Sequence, residues 1–168
     1  LLVSPPLKEK PRIKTSGKKL IIEIRDTLKD NTTYNINFHD AIVDLNEGNI
    51  LSNYQYCFST GNHIDSLFIN GIINNAFDLK PEQFVKIMLY DNYTDSTPYK
   101  KIPDYISQTN KKGEFLINNI KPGKYHIFAL DDGNNNFLFD QPSEKIAFLD
   151  SLIIPGYKKT EIIDTIKI

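Results

Sequence analysis

The segment Asp132-Gly133-Asn134-Asn135-Asn136-Phe137-Leu138-Phe139-Asp140, followed by Glu144, is where the sequence concentrates metal-binding chemistry. Counted from Asp132, side-chain oxygens fall at the first, third, fifth and ninth positions, on Asp132, Asn134, Asn136 and Asp140. Leu138 offers a backbone carbonyl at the seventh position and Glu144 a carboxylate at the thirteenth. A hard cation such as Ca²⁺ takes six to eight oxygens, and alternating Asp and Asn residues supply them from one side of a curled loop. Two departures stand out. Phe137 occupies the sixth position, where a helix–loop–helix calcium site has glycine, and Glu144 falls one residue late for such a site. The same residues also make Asx turns in a surface loop, with no ion needed. Both readings stay open, and no cofactor other than Ca²⁺ is expected.

A second cluster is aromatic. Tyr93, Tyr99 and Tyr105 lie in and around the polar stretch 91–98. Aromatics on a wet loop stack on sugar rings or anchor a protein partner; the plainer reading is a long hairpin with tyrosines packed along its stem. His39, His63 and His126 are scattered, and none has a Cys or a second His at ligand spacing. With no strained nucleophile motif either, the expectation is a protein that is not an enzyme. Cys57 sits between Tyr56 and Phe58 and is expected to be a small buried hydrophobe.

The elements that must position these residues are short strands. Leu20, Ile22 and Ile24 alternate within 19–25; Tyr34, Ile36 and Phe38 alternate within 32–38; Tyr54, Tyr56 and Phe58 do the same. Period-two alternation places one face in a core and the other in water. Turn-rich stretches at 26–31 and 44–49 separate them. After a short polar linker, Ser59 to His63, the pattern restarts with strands at 67–73, 84–90, 114–117, 125–130, 146–149 and 161–168. The one helical turn expected is near Lys80-Pro81-Glu82-Gln83. Many short strands with almost no helical periodicity predict an all-β chain of β-sandwich or barrel modules, two in tandem.

Composition narrows the classes. A formal net charge of −1 provides no basic face for nucleic acid. One Cys allows no internal disulfide and no Cys-rich zinc site. Nine Tyr and ten Phe favour strands. No run approaches the roughly 18 apolar residues of a membrane helix. The first six residues lack the basic start and apolar core of an export leader, and the chain begins without Met, so it reads as a piece of a longer polypeptide.

Residues 1–61 resemble the bacterial Ig-like domain of S-layer proteins. The resemblance is carried by Ser4-Pro5-Pro6, Asn31-Thr32-Thr33-Tyr34-Asn35-Ile36, Ala41-Ile42-Val43-Asp44 with Gly48-Asn49, and the closing Phe58-Ser59-Thr60. In that family more than one strand precedes the Ser-Pro-Pro segment, and only Leu1-Leu2-Val3 does here, so this module is expected to be cut off at its start. Residues 64–168 resemble the transthyretin-like fold of carboxypeptidase regulatory-like and Cna-B-type domains. Here the carriers are Thr109-Asn110-Lys111-Lys112-Gly113-Glu114-Phe115 and Ile117-Asn118-Asn119-Ile120-Lys121-Pro122-Gly123-Lys124-Tyr125. Gly113 is expected at positive φ in a hairpin turn, and Phe115 and Tyr125 in the core. Calcium loops of some Cna-B-type repeats are similar to the Asp132 segment. The Lys–Asn isopeptide crosslink of some relatives is not expected, since 65–73 holds no Lys and 161–168 no Asn.

These resemblances imply an exported, non-catalytic structural or docking module on the periplasmic or cell-surface side of a bacterial envelope. It would be part of a larger assembly, with other envelope proteins as partners and a lipid anchor supplied, if at all, outside this chain. The alternative is a carbohydrate-binding accessory module that uses the tyrosines. The short polar linker further predicts that the two modules unfold separately.

Overall fold

The computed structural model describes residues 1–44, 46–52, 54–157 and, as backbone, 163–167. The N-terminal part contains β1 (Leu2–Ser4), β2 (Arg12–Ser16), β3 (Lys19–Glu23), β4 (Thr33–Asn37) and β5 (Gln55–Ser59). The C-terminal part contains β6 (Leu67–Asn74), β7 (Lys86–Tyr90), the short helix α1 (Thr97–Lys100), β8 (Tyr105–Gln108), β9 (Glu114–Ile120), β10 (His126–Leu130), β11 (Ile146–Phe148) and β12 (Ile163–Lys167). The all-β expectation holds. Of the last expected strand, 163–167 is β12, while Glu161, Ile162 and Ile168 lie outside the described residues. No helix among the described residues is long and apolar enough to cross a membrane.

In the N-terminal part, β1, β4 and β5 form an antiparallel sheet in that order, and β2 and β3 form a separate hairpin. Alternation along β4 sorts its side chains. Tyr34 and Ile36 turn inward with Val3 and Phe38, and Leu7, Ile22, Leu28, Ile42 and Phe58 pack against them. Tyr34 stacks on Phe58 with centroids 5.5 Å apart, and its hydroxyl accepts the Lys29 N–H at 2.9 Å. A Tyr plugging this core is what the sequence predicts.

The C-terminal part is a sandwich of two sheets, ordered β11-β10-β7-β8 and β12-β6-β9. Strict alternation in β6, buried and half-buried by turns, sets the inner face of the second sheet. Ile69, Ile73, Ile87, Leu89, Ile117, Ile120 and Ile127 fill the space between the sheets, with Phe115 and Tyr125. Gly113 has φ of +73°, and a Cβ there would stand 2.5 Å from the Ile73 carbonyl oxygen, so this hairpin demands glycine. Strand β7 is buried on both faces. Its outer face, Met88 and Tyr90 with Ile106, Phe128 and Leu130, is covered by Leu2 from the N-terminal part and by Tyr93, Phe137 and Phe139.

Three local expectations change. Residues 80–83 make no helix; Pro81 forms a β-bridge with Asn74, and a turn closes from the Asn75 N–H to the Lys80 carbonyl at 2.8 Å. The helix is α1 instead, where Pro98 lies in the first turn and fixes the helical φ. Cys57 is exposed rather than buried. It lies on edge strand β5 opposite Asn35, on the face turned away from the Tyr34 core.

The linker does not leave the two parts separate. The face of β4 that carries Thr33, Asn35 and Asn37, polar and expected in water, is pressed against β9 and the start of β6. Thr33 Oγ1 donates to Asp65 Oδ2 and accepts the Asp65 N–H, both at 2.9 Å in buried surroundings. Asn35 Nδ2 donates to Asn119 Oδ1 at 3.0 Å, and Asn119 Nδ2 donates to the Asp65 carbonyl at 2.7 Å. Asn118 Nδ2 donates to Gln55 Oε1 at 2.8 Å. Ser4 Oγ accepts the Ile106 N–H from the edge of the four-stranded sheet. Side-chain hydrogen bonds knit this seam, with Leu2 as its apolar pin.

Candidate functional site

The Asp132 segment leaves the end of β10 and folds back over the outer face of the four-stranded sheet. Phe137 and Phe139 pack on that face, which explains why the sixth position holds Phe where a calcium loop of the helix–loop–helix kind has glycine. Phe137 takes φ of +65° and Asn135 +58°, so the chain curls tightly despite the missing glycine. Asp132 and Glu144 are buried. Asp132 accepts the backbone N–H groups of Asn136 and Phe137 on its two oxygens, at 3.3 and 3.0 Å. Glu144 accepts those of Gly133, Asp140 and Gln141 at 3.1–3.2 Å. Asp140 accepts the side-chain amides of Asn134 and Asn136, and the Leu138 N–H is taken by Asn136 Oδ1 at 2.8 Å. All the expected ligand residues are therefore gathered in one loop. Their oxygens face N–H donors, as in Asx turns. Among the described residues no three His, Cys, Asp or Glu side chains converge as a metal centre.

The loop has one electrostatic peculiarity. None of the ion pairs among the described residues reaches Asp132 or Glu144. The nearby cation is Lys86, itself buried in β7, whose Nζ donates to Gln108 Oε1 at 3.0 Å. Burial lowers its pKa from the ordinary lysine value, and the charge of Asp132 opposes that shift. Sequence reasoning missed Lys86, although a lysine within the apolar run Phe84 to Tyr90 was the available signal.

The tyrosines part company. Tyr105 is a core residue, 6% exposed, in edge-to-face contact with Tyr125 at 5.7 Å, so it offers nothing to a ligand. That corrects its assignment to a sugar- or partner-contacting loop: it belongs to β8, a strand hidden in sequence by the polar stretch before it. Tyr93 is half-buried, stacked over His126 and Phe128 at 4.6 and 5.3 Å. Tyr99 alone of the three is exposed, at 53%, with Phe139 behind it at 5.1 Å. The Phe139 N–H donates to the Pro98 carbonyl at 2.8 Å, which ties the Asp132 loop to α1.

The histidines are held apart as well. His63 pairs at 3.4 Å with Asp65 beside the seam. His39 has φ of +48°, its N–H donates to Asn37 Oδ1 at 2.8 Å, and its Nε2 is buried without a hydrogen-bond partner among the described residues. Burial, with the charge of Lys86 acting in the same direction, lowers its pKa from the ordinary value.

Residues 1–60 match the family model of the bacterial Ig-like domain. No curated protein and no solved structure matches the chain.

Proposed function

We propose that this chain is a non-catalytic structural or docking module of a bacterial cell-envelope protein, in which an Ig-like part and a transthyretin-like part act as one stiff unit. The observation that carries the reading is the seam. Buried hydrogen bonds from Thr33 to Asp65 and an amide ladder through Asn35 and Asn119 would hold two small sandwiches at a fixed angle. A spacer or docking platform needs such rigidity. The bacterial Ig-like match over 1–60 supports the envelope setting by family analogy. Residues for docking are at hand on the β2–β3 hairpin, where Ile13, Leu20 and Ile21 are each about half exposed. The test is surface biotinylation and fractionation of bacteria producing the full-length protein. Labelling of intact cells, or release with the periplasm, supports the reading. Recovery in the cytosol alone sinks it.

A second reading concerns the Asp132 loop. Buried carboxylates are normally paired with cations or bound to metal, and Asp132 and Glu144 have no ion-pair partner among the described residues. The donor set fits a hard cation: three acids, two Asn side chains and the Leu138 carbonyl. We propose that Asp132, Asn134, Asn136, Leu138, Asp140 and Glu144 hold Ca²⁺, which would brace the loop over the sheet. Millimolar CaCl₂ added to metal-free protein is then expected to raise its melting temperature, by linkage worth about 2.7 kcal/mol at a hundredfold excess over Kd. Asp140→Ala should abolish the rise. No shift in the unsubstituted protein means the Asx turns complete the loop unaided.

A further inference from the structure

The seam does not close everywhere. Between the edge of β8, the facing strand β9 and the end of β4, a cleft of about 430 Å³ remains, lined by Asn37, His39, Gln55, Gln108, Asn110 and Asn118 among others. A crevice of about 20 Å³ shares Asn37, Gln55 and Asn118 with it and reaches inward to Asn35. The larger space matches small-ligand sites, and the crevice has room for about one water.

Two polar atoms here lack partners. Asn35 is 7% exposed, and its Nδ2 donates to both Gln55 and Asn119, yet its Oδ1 has no donor among the described residues. His39 lines the cleft, and its Nε2 is likewise buried without a partner among the described residues. Leaving a buried polar atom without a partner is costly, so each is a place where a ligand or ordered water gains by binding.

The chemistry of the lining narrows the ligand class. Side-chain amides present a donor and an acceptor each, which suits hydroxyl groups that do the same. Glu114 is the one acidic residue on the wall, and His39 is held toward its neutral form, so the cleft has little charge with which to select an ion. An extended peptide would need free main-chain groups at the sheet edges. The two edges are instead capped by side chains at the inner end: Ser4 Oγ takes the Ile106 N–H, and Ser107 Oγ donates to the Leu116 carbonyl at 2.7 Å.

We infer that this cleft is a binding site for a neutral saccharide, with hydroxyl groups of one or two sugar units reading His39, Gln55 and Asn118, while the crevice leaves Asn35 Oδ1 to a single water. The site is independent of the envelope reading and lies apart from Tyr99.

The test is an NMR titration of the 168-residue chain, following the side-chain amides of Asn and Gln and the His39 imidazole. The probes are cellobiose, maltotriose, lactose and chitobiose, each to about 20 mM, enough to populate a site of millimolar Kd. The expected result is saturable shifts at Gln55, Asn118 and His39 with at least one probe. His39→Asn, which tolerates the left-handed backbone, should weaken binding about tenfold while leaving the remaining spectrum native. Tyr99→Ala should leave it unchanged. The inference is overturned if no probe shifts these signals, water alone then filling the cleft. It is equally overturned if the shifts survive His39→Asn or vanish with Tyr99→Ala, or if end-capped tetra-alanine moves the same signals and the sugars do not.

Discussion

Tyr125→Ala is expected to cost the protein about 3–5 kcal/mol, the range for emptying an aromatic site in a packed core. Tyr125 is 4% exposed and meets Tyr105 edge to face between the two C-terminal sheets. Its hydroxyl donates to the Lys121 carbonyl at 3.0 Å, and the Tyr105 hydroxyl accepts the Lys121 N–H at 3.2 Å. The two phenols thus clamp both backbone groups of the residue that opens the Pro122-Gly123 turn. Burial raises the pKa of both phenols, which keeps Tyr125 a donor across the ordinary pH range. Alanine removes the ring, its partner for Tyr105 and the clamp together. Tyr125→Phe keeps the ring and loses one hydrogen bond, about 1 kcal/mol. Urea denaturation of both variants checks the order. A cost below about 1 kcal/mol for alanine would mean the ring is not a core element.

How much of this was legible beforehand follows from what alternation encodes. A strand with one apolar face announces itself, so β4, β6 and β10 were readable from Tyr34, Ile36 and Phe38, from the Leu67-to-Ile73 run and from Ile127 to Leu130. Strand β2 was not readable, because Arg12 to Ser16 is exposed along its whole length and carries no period-two apolar pattern. Strand β8 was masked by the polar loop before it, and that misplaced Tyr105. The Asp132 loop was legible as a donor set, since ligand spacing is local. Its second job was not legible, because packing Phe137 and Phe139 over the outer sheet depends on a face that alternation marks only as apolar. The seam was the least legible feature. Thr33, Asn35 and Asn37 form the polar face of β4, and a polar face reads as a wet one. Here that face meets other polar groups, Asp65 and Asn119, which lie 32 and 84 residues from Thr33 and Asn35 in sequence and take up most of its hydrogen bonds, Asn35 Oδ1 being left over. Binary patterning carries no information about polar complementarity between distant elements.

The seam makes a prediction of its own. The protein should unfold in one calorimetric transition, with matching van't Hoff and calorimetric enthalpies, although a polar linker joins its two parts. Thr33 is the residue to change. It is 2% exposed, and its hydroxyl both donates to the Asp65 carboxylate and accepts the Asp65 N–H. Thr33→Val keeps the shape and the β-propensity of the strand while removing both bonds at once. Asp65, 7% exposed, then keeps its 3.4 Å contact with His63 but loses the closer partner for its carboxylate. An orphaned buried N–H and a weakened carboxylate together are expected to cost about 3 kcal/mol, since hydrogen bonds to charged groups stand at the high end of the range. The shape of the melt carries the decisive information. If the seam couples the two parts, Thr33→Val lowers the stability of both and separates the single transition into two, with signals from Tyr34 and from Tyr125 lost at different temperatures. A wild-type melt that already shows two transitions, or a variant in which only the N-terminal signals shift, would mean that the parts fold independently and the seam is a contact of convenience.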